Sequence, residues 1–163
     1  KFHDIPNTVA HSILSFKDYP INLLTVHISG GMSMLTRARE AAHAIKSKVI
    51  GVSLLTSLDQ KDVEKVFFND IRKVADNLFD LAKEANMDGI VCSAHELKYA
   101  RTNIPNLLKI VPGIRLSSDN DDQKRVMSPG EALKLGANHL VIGRPITESK
   151  HPNAELEKIY ETL

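Results

Sequence analysis

The run His139-Leu140-Val141-Ile142-Gly143-Arg144-Pro145 reads as a short buried strand that ends on a glycine and an arginine. Consecutive apolar residues leave the strand no polar face, so it must be covered on both sides, as strands are in parallel α/β sheets. The glycine lets the backbone approach an anion closely, and the Arg144 guanidinium can grip a phosphate through paired hydrogen bonds. A buried parallel strand with a phosphate pattern at its carboxyl end is the arrangement of the last units of a (β/α)8 barrel. A structural ion pair is the competing reading of Arg144.

The same alternation extends back along the chain. Apolar runs at Leu23 to His27, Val49 to Leu54, Gly89 to Ser93 and Leu107 to Val111 precede the one at His139 to Ile142, with helical patterns between them. That is the signature of βα units around a parallel sheet. Ile71, Val74, Ala75, Leu78, Phe79 and Ala82 carry the spacing of one apolar helix stripe, and Val9, Ile13 and Phe16 that of a shorter one. Ser128-Pro129-Gly130-Glu131 predicts a helix start with a capping box, and Gly136 its end. No Gly-x-Gly-x-x-Gly follows the first strand, as a dinucleotide-binding sheet would require, whereas His27, Ser93 and Arg144 recur at strand ends. With no linker and no internal repeat, residues 1–163 read as a single domain. A whole barrel takes ~250 residues. The expectation is therefore an incomplete (β/α)8 TIM barrel without its first two strands and most of its third, with an open groove beside the last strand near Val141.

Composition narrows the function classes. Lys plus Arg (21) nearly balance Asp plus Glu (20), so there is no excess positive field of the kind that binds nucleic acid. The apolar runs are strand-sized and fall short of the ~20 residues that a bilayer span needs, so no membrane segment is expected. The single cysteine, Cys92, rules out an intrachain disulfide and fits a reducing compartment. No basic stretch leading into an apolar core is visible at the front of the sequence, so neither a secretory signal nor a location other than the cytoplasm is expected. The seven histidines show no His-Glu-x-x-His spacing, and Asp62, Asp70 and Asp76 fall on helical surfaces, so no metal site is expected.

Lys1-Phe2-His3-Asp4-Ile5-Pro6-Asn7-Thr8 is followed in order by Val26-His27-Ile28-Ser29-Gly30-Gly31, Val91-Cys92-Ser93-Ala94, Val111-Pro112-Gly113-Ile114-Arg115, Gln123 and Gly143-Arg144-Pro145. Together these runs span essentially the whole chain and resemble orotidine 5'-phosphate decarboxylase of the bacterial type. In that family an Asp-x-Lys-x-x-Asp run closes the third barrel strand; Lys1 and Asp4 match its last two charged positions, and its first Asp has no counterpart in this sequence. The resemblance implies a cofactor-free carboxy-lyase of pyrimidine biosynthesis that makes uridine 5'-phosphate and CO2, acting as a homodimer with shared active sites. It implies that Lys1 protonates the C6 carbanion. Asp4 and Thr8 would reach the partner subunit's site, toward the ribose hydroxyls and the lysine network. Ser93 would read the amide edge of the pyrimidine, whose pocket Pro112 and Gly113 would line. Arg115, Gln123, Gly143 and Arg144 would bind substrate at its phosphate, beneath a closing loop at 116–122.

Read from the residues alone, each position also has a structural role open to it. Lys1 suits a solvated charge, Asp4 a helix N-cap or first-turn acid, and Asn7 a cap. Ser93 suits the cap of a helix beginning near His95, Cys92 suits buried packing, and His27 a hydrogen-bonded structural histidine. Ser29-Gly30-Gly31 reads as a strand-to-helix turn in preference to a phosphate cradle. The alternative functions are a metal-dependent sugar-phosphate decarboxylase or aldolase of the same suprafamily and a non-catalytic phosphate-binding fragment. Pro112 to Arg115 with Gln123 favour the nucleotide enzyme. With the upstream aspartate absent from this sequence, the chain alone is expected to be nearly inactive.

Overall fold

Five apolar runs pair into one parallel sheet in the computed structural model, which describes residues 1–115 and 127–163. The strands are β1 (Leu23–His27), β2 (Lys48–Val52), β3 (Gly89–Val91), β4 (Leu108–Val111) and β5 (His139–Leu140). Their spatial order is β1-β2-β3-β4-β5, so neighbours in sequence are neighbours in the sheet. A doubly wound sheet reverses its strand order at a switch point. This one never reverses, and it is part of a barrel. Phe2 adds a further position beside β1 through a parallel bridge to Val26. Its N–H donates to the Thr25 carbonyl and its carbonyl accepts from the His27 N–H, each at 2.9 Å. At the other side β5 pairs with β4 alone among the described residues, and Val141 beside it is 49% exposed.

Helices carry the crossovers. They are α1 (Pro6–Leu14) before β1, α2 (Met32–Ala44) between β1 and β2, α3 (Gln60–Phe67) and α4 (Ile71–Glu84) between β2 and β3, α5 (Leu97–Asn103) before β4, and α6 (Pro129–Lys134) before β5. Two more, α7 (Arg144–Thr147) and α8 (Pro152–Glu161), follow the last strand. The stripe read for α4 is the face it buries: Val74, Ala75, Leu78, Phe79 and Ala82. The Asp70 carboxylate starts that helix by accepting the Arg72 and Lys73 amides at 2.8 and 3.4 Å. On α1 the buried residues are Val9, Ala10 and Ile13. Phe16 lies beyond the helix end, its ring edge-on to Phe2 at 6.4 Å. The Ser128–Glu131 capping box and the left-handed Gly136 (φ 106°) bound α6 as the sequence pattern predicts.

The sheet buries both faces, but against different partners. Leu24, Val26, Val49, Ile90, Cys92 and Val111 pack with the helices in one apolar cluster. Ile50, Val52 and Ile110 are buried as well, yet stand outside that cluster. The pleat sends successive residues to opposite faces, so these three look into the barrel interior. The register extends the interior face to Thr25, opposite Ile50, and to His27, opposite Val52.

Candidate functional site

All the strands run parallel, so their carboxyl ends lie along one edge of the sheet, where barrel enzymes build their sites. Phe2 packs against the helix-side cluster, which directs Lys1 and His3 to the interior face by alternation. There the His3 ring stacks on the His27 ring, centroids 5.1 Å apart and planes inclined by 29°. The Ser29 hydroxyl lies 3.5 Å from His3 Nε2. Burial holds the His27 pKa below the ordinary histidine value, and the neighbouring charges of His3 and Lys1 lower it further. His27 is therefore a ring-stacked histidine beside Lys1, with no side-chain hydrogen bond among the described residues.

The cap readings at the front of the chain give way to a different start for α1. Ile5 is the N-cap residue, with no side-chain cap, and Pro6 opens the helix. A residue before proline is pushed to extended backbone, and Ile5 has φ −60° and ψ 152°. Asp4 lies one residue outside and accepts the Ile5 N–H at 2.7 Å, while Asn7 sits within the helix. Asp4 and Thr8 both remain exposed.

Ser93 stands two residues beyond β3 and is 1% exposed. Its N–H donates to the Glu96 carboxylate at 2.8 Å, as the first residue of a capping box does, ahead of a 3-10 turn over Ala94–Glu96. Its Oγ, however, is buried without a hydrogen-bond partner among the described residues. Buried hydroxyls are nearly always bonded; the box sets the Ser93 Oγ toward the Glu96 N–H without closing a hydrogen bond, and the hydroxyl proton has no acceptor among the described residues. Cys92 faces the helices, and burial pushes its thiol pKa far up, which suits packing and not nucleophilic chemistry. One residue beyond β2, level with Cys92, Ser53 is spoken for: its hydroxyl donates to the Val91 carbonyl at 2.9 Å.

Pro112 and Gly113 follow β4 directly, and Gly113 takes the left-handed φ of 74°. Ile114 then bridges Met127, and the Arg115 N–H donates to the Met127 carbonyl at 3.1 Å. That bridge brings together the residues on either side of positions 116–126. Arg115 is half-buried, with Nη1 3.4 Å from the Ile114 carbonyl. Gln123 and the loop at 116–122 lie outside the described residues. After β5, Gly143 is the N-cap of α7 and Arg144 its first residue, half-buried. A Cβ placed on Gly143 would meet nothing within 4 Å, so the space over this backbone is open. Ser29-Gly30-Gly31 forms the turn the sequence favours, with a 3-10 helix over Ile28–Gly30 and Gly31 at φ 83° capping α2.

Lys1, Ser93, Pro112, Gly113, Arg115, Gly143 and Arg144 thus all lie toward the same edge of the sheet. His3 is the residue that reading the sequence overlooked. Its signal was the period of two: a residue two places after Lys1 on an extended segment shares its face. Among the described residues no group of three or more His, Cys, Asp or Glu is placed to hold a metal ion, and no helix is long and apolar enough to cross a membrane.

The chain has close likenesses among known proteins. The family model described as Orotidine 5'-phosphate decarboxylase / HUMPS family matches residues 1–159. Orotidine 5'-phosphate decarboxylase of Ehrlichia chaffeensis is 45% identical over 163 residues, an alignment covering 98% of this chain and 70% of that protein. Its counterpart in Wolbachia pipientis is 41% identical over 165 residues, covering 100% of this chain and 73% of that one. The crystal structure of orotidine 5'-phosphate decarboxylase from Lactobacillus acidophilus matches with a TM-score of 0.84 at 31% identity, over 99% of this chain and 72% of that chain.

Proposed function

The chain belongs to the orotidine 5'-phosphate decarboxylase / HUMPS family, and from that membership we infer that its reaction is the decarboxylation of orotidine 5'-phosphate to uridine 5'-phosphate and CO2 in pyrimidine biosynthesis. The observation that carries a lysine-centred site is the Phe2–Val26 bridge, which turns Lys1 toward the barrel interior near the carboxyl ends of the strands. Loss of CO2 leaves an electron pair on C6 of the pyrimidine. An ammonium fixed beside that carbon stabilises the charge as it develops, then gives up a proton: a C–H bond forms at C6 as an N–H bond of Lys1 breaks. No cofactor takes part in this scheme.

The other roles follow from position. The unbonded Ser93 hydroxyl meets the amide edge of the pyrimidine, and Pro112 and Gly113 line its pocket. Arg144, the open backbone at Gly143, Arg115 and Gln123 hold the phosphate. Binding energy gathered at that remote group is used to hold the reacting ring away from water. Asp4 and Thr8, both exposed, complete the site of a partner subunit in a two-fold homodimer in the cytoplasm.

The test combines two variants, each made in a chain extended upstream to carry the family's first Asp, following the fall in orotidine 5'-phosphate absorbance. Lys1→Ala is expected to lower kcat by at least ~10²- to 10³-fold, the scale of removing one preorganised charge-stabilising donor. Asp4→Ala is expected to be impaired as well, and mixing the two inactive proteins to restore turnover, because one site of each hybrid dimer has both residues intact. Near-normal turnover by Lys1→Ala would overturn the role of the lysine. Absence of recovery in mixtures with proven subunit exchange would overturn the shared site.

A further inference from the structure

The opposite end of the sheet has a cavity that this reaction leaves unused. It measures about 680 Å3 and lies at the amino ends of β2, β3 and β4. Three cations line it from three separate elements: Arg39 on α2, Lys48 at the first position of β2, and Lys83 in the last turn of α4. None of the three side chains has an ion-pair or hydrogen-bond partner among the described residues. The acid on the lining, Asp88, is already engaged. Its carboxylate accepts the Val49 N–H at 2.8 Å and sits 3.0 and 3.1 Å from His43 Nε2.

Arg39 gives the sharper indication. Its Nε is buried and makes no hydrogen bond, although buried N–H donors are almost always paired and arginine has no way to shed its proton. Like charges gathered round one concavity repel each other, and an anion among them turns that repulsion into attraction. A phosphate answers the donor set best, because its oxygens fit both the planar guanidinium fork and the point charges of lysine. The rest of the lining mixes the amides of Asn86, Asn103 and Asn106 with an apolar part, Met87, Ile104, Pro105, Leu107 and Leu108, which provides surface and hydrogen-bonding groups for an organic body attached to that phosphate.

We propose that this cavity is a second ligand site that binds a small phosphate monoester, with Arg39, Lys48 and Lys83 on the phosphate and the wall at 104–108 on its organic part. It is separate from the catalytic mouth, since it lies at the other end of the same strands.

The experiment uses the protein carrying Arg144→Ala, which weakens phosphate binding at the mouth, and amide shifts at Ser93 and Gly113 report any binding that remains there. Adenosine 5'-monophosphate is the probe and inorganic phosphate the control, titrated by calorimetry and by amide spectra at constant ionic strength. The nucleotide is expected to bind and to shift the amides of Val49, Asp88 and Leu108. Adding Lys48→Gln is expected to weaken it about tenfold, the effect of losing one charge-assisted contact. Lys48 is exposed, so this variant keeps its fold even where Arg39→Gln does not. No binding, binding unchanged by Lys48→Gln, shifts confined to Ser93 and Gly113, or binding of inorganic phosphate without the nucleotide would each overturn the proposal.

Discussion

The imidazoles of His3 and His27 lie face to face with centroids 5.1 Å apart, and their stack ties the Lys1 segment to the end of β1. The two come from neighbouring extended segments, one residue beyond the Phe2–Val26 bridge. A proton on either ring would place positive charge beside the other and beside Lys1.

The stack makes stability depend on pH. Burial, and then the charges of His3 and Lys1, hold the folded His27 pKa below its ordinary value of 6.5. Between those two values the unfolded chain binds more protons than the folded one, so stability rises with pH. The contribution is complete above the unfolded pKa and is lost as pH falls through the folded one. The urea midpoint is expected to decline below about pH 6.5, and His27→Asn to flatten that decline. Equal acid-side slopes in the two proteins would count against the stack as the cause.

Ser93→Ala separates a structural hydroxyl from a substrate-reading one. Removing a buried hydroxyl that holds no partner costs the fold little and can stabilise it. The melting temperature is expected to stay level or rise while kcat/KM for orotidine 5'-phosphate falls. A drop in melting temperature with unchanged kcat/KM would assign the hydroxyl to the capping of Ala94–Glu96 instead.

Arg144→Ala tests the phosphate grip. A hydrogen bond to a charged group contributes ~1.5 to 3 kcal/mol, so kcat/KM is expected to fall roughly 10- to 100-fold. Orotidine lacks the phosphate, and its slow turnover should be the same with and without the guanidinium. An equal loss on both substrates would point to a structural arginine.

Two glycines predict an ordering of stabilities. A Cβ on Gly89 would sit 2.7 Å from the Leu108 carbonyl oxygen, whereas one on Gly51 would sit 2.6 Å from Ile28 Cγ1. A side chain can rotate, but the Leu108 backbone cannot retreat without parting β3 from β4. Overpacking costs ~1 to 3 kcal/mol, and Gly89→Ala is expected at or above the top of that range, with Gly51→Ala below it. Denaturant midpoints measure both, and the reverse order would refute the argument.

Much of the fold was legible because its signals are local. The α4 stripe, the Ser128–Glu131 box and the turn at Ser29-Gly30-Gly31 each involve residues within a few places of one another, and each stands as read. Pro6 is a local signal that the cap readings of Asp4 and Asn7 passed over. It places the start of α1 at itself and leaves Asp4 and Asn7 without a capping role. The strand ends were overextended for a different reason: Leu54, Ser93 and Ile142 continue the apolar or extended pattern, but β2, β3 and β5 stop at Val52, Val91 and Leu140. A ladder ends where its neighbour turns away, and that neighbour lies tens of residues distant.

The sequence by itself determined the order of the βα units, the cap and end of α6 and the identity of the residues at the strand ends, because periodicity and turn chemistry act between near neighbours. Only the tertiary structure decided that His3 meets His27, that the Ser93 hydroxyl goes unbonded while Ser53 is satisfied, and that Arg39, Lys48 and Lys83 line one cavity. Those facts depend on strand register and on which face each segment turns to the helices. Register is settled by burying the helix-side cluster as a whole, an interaction among distant segments that no short stretch of this chain contains.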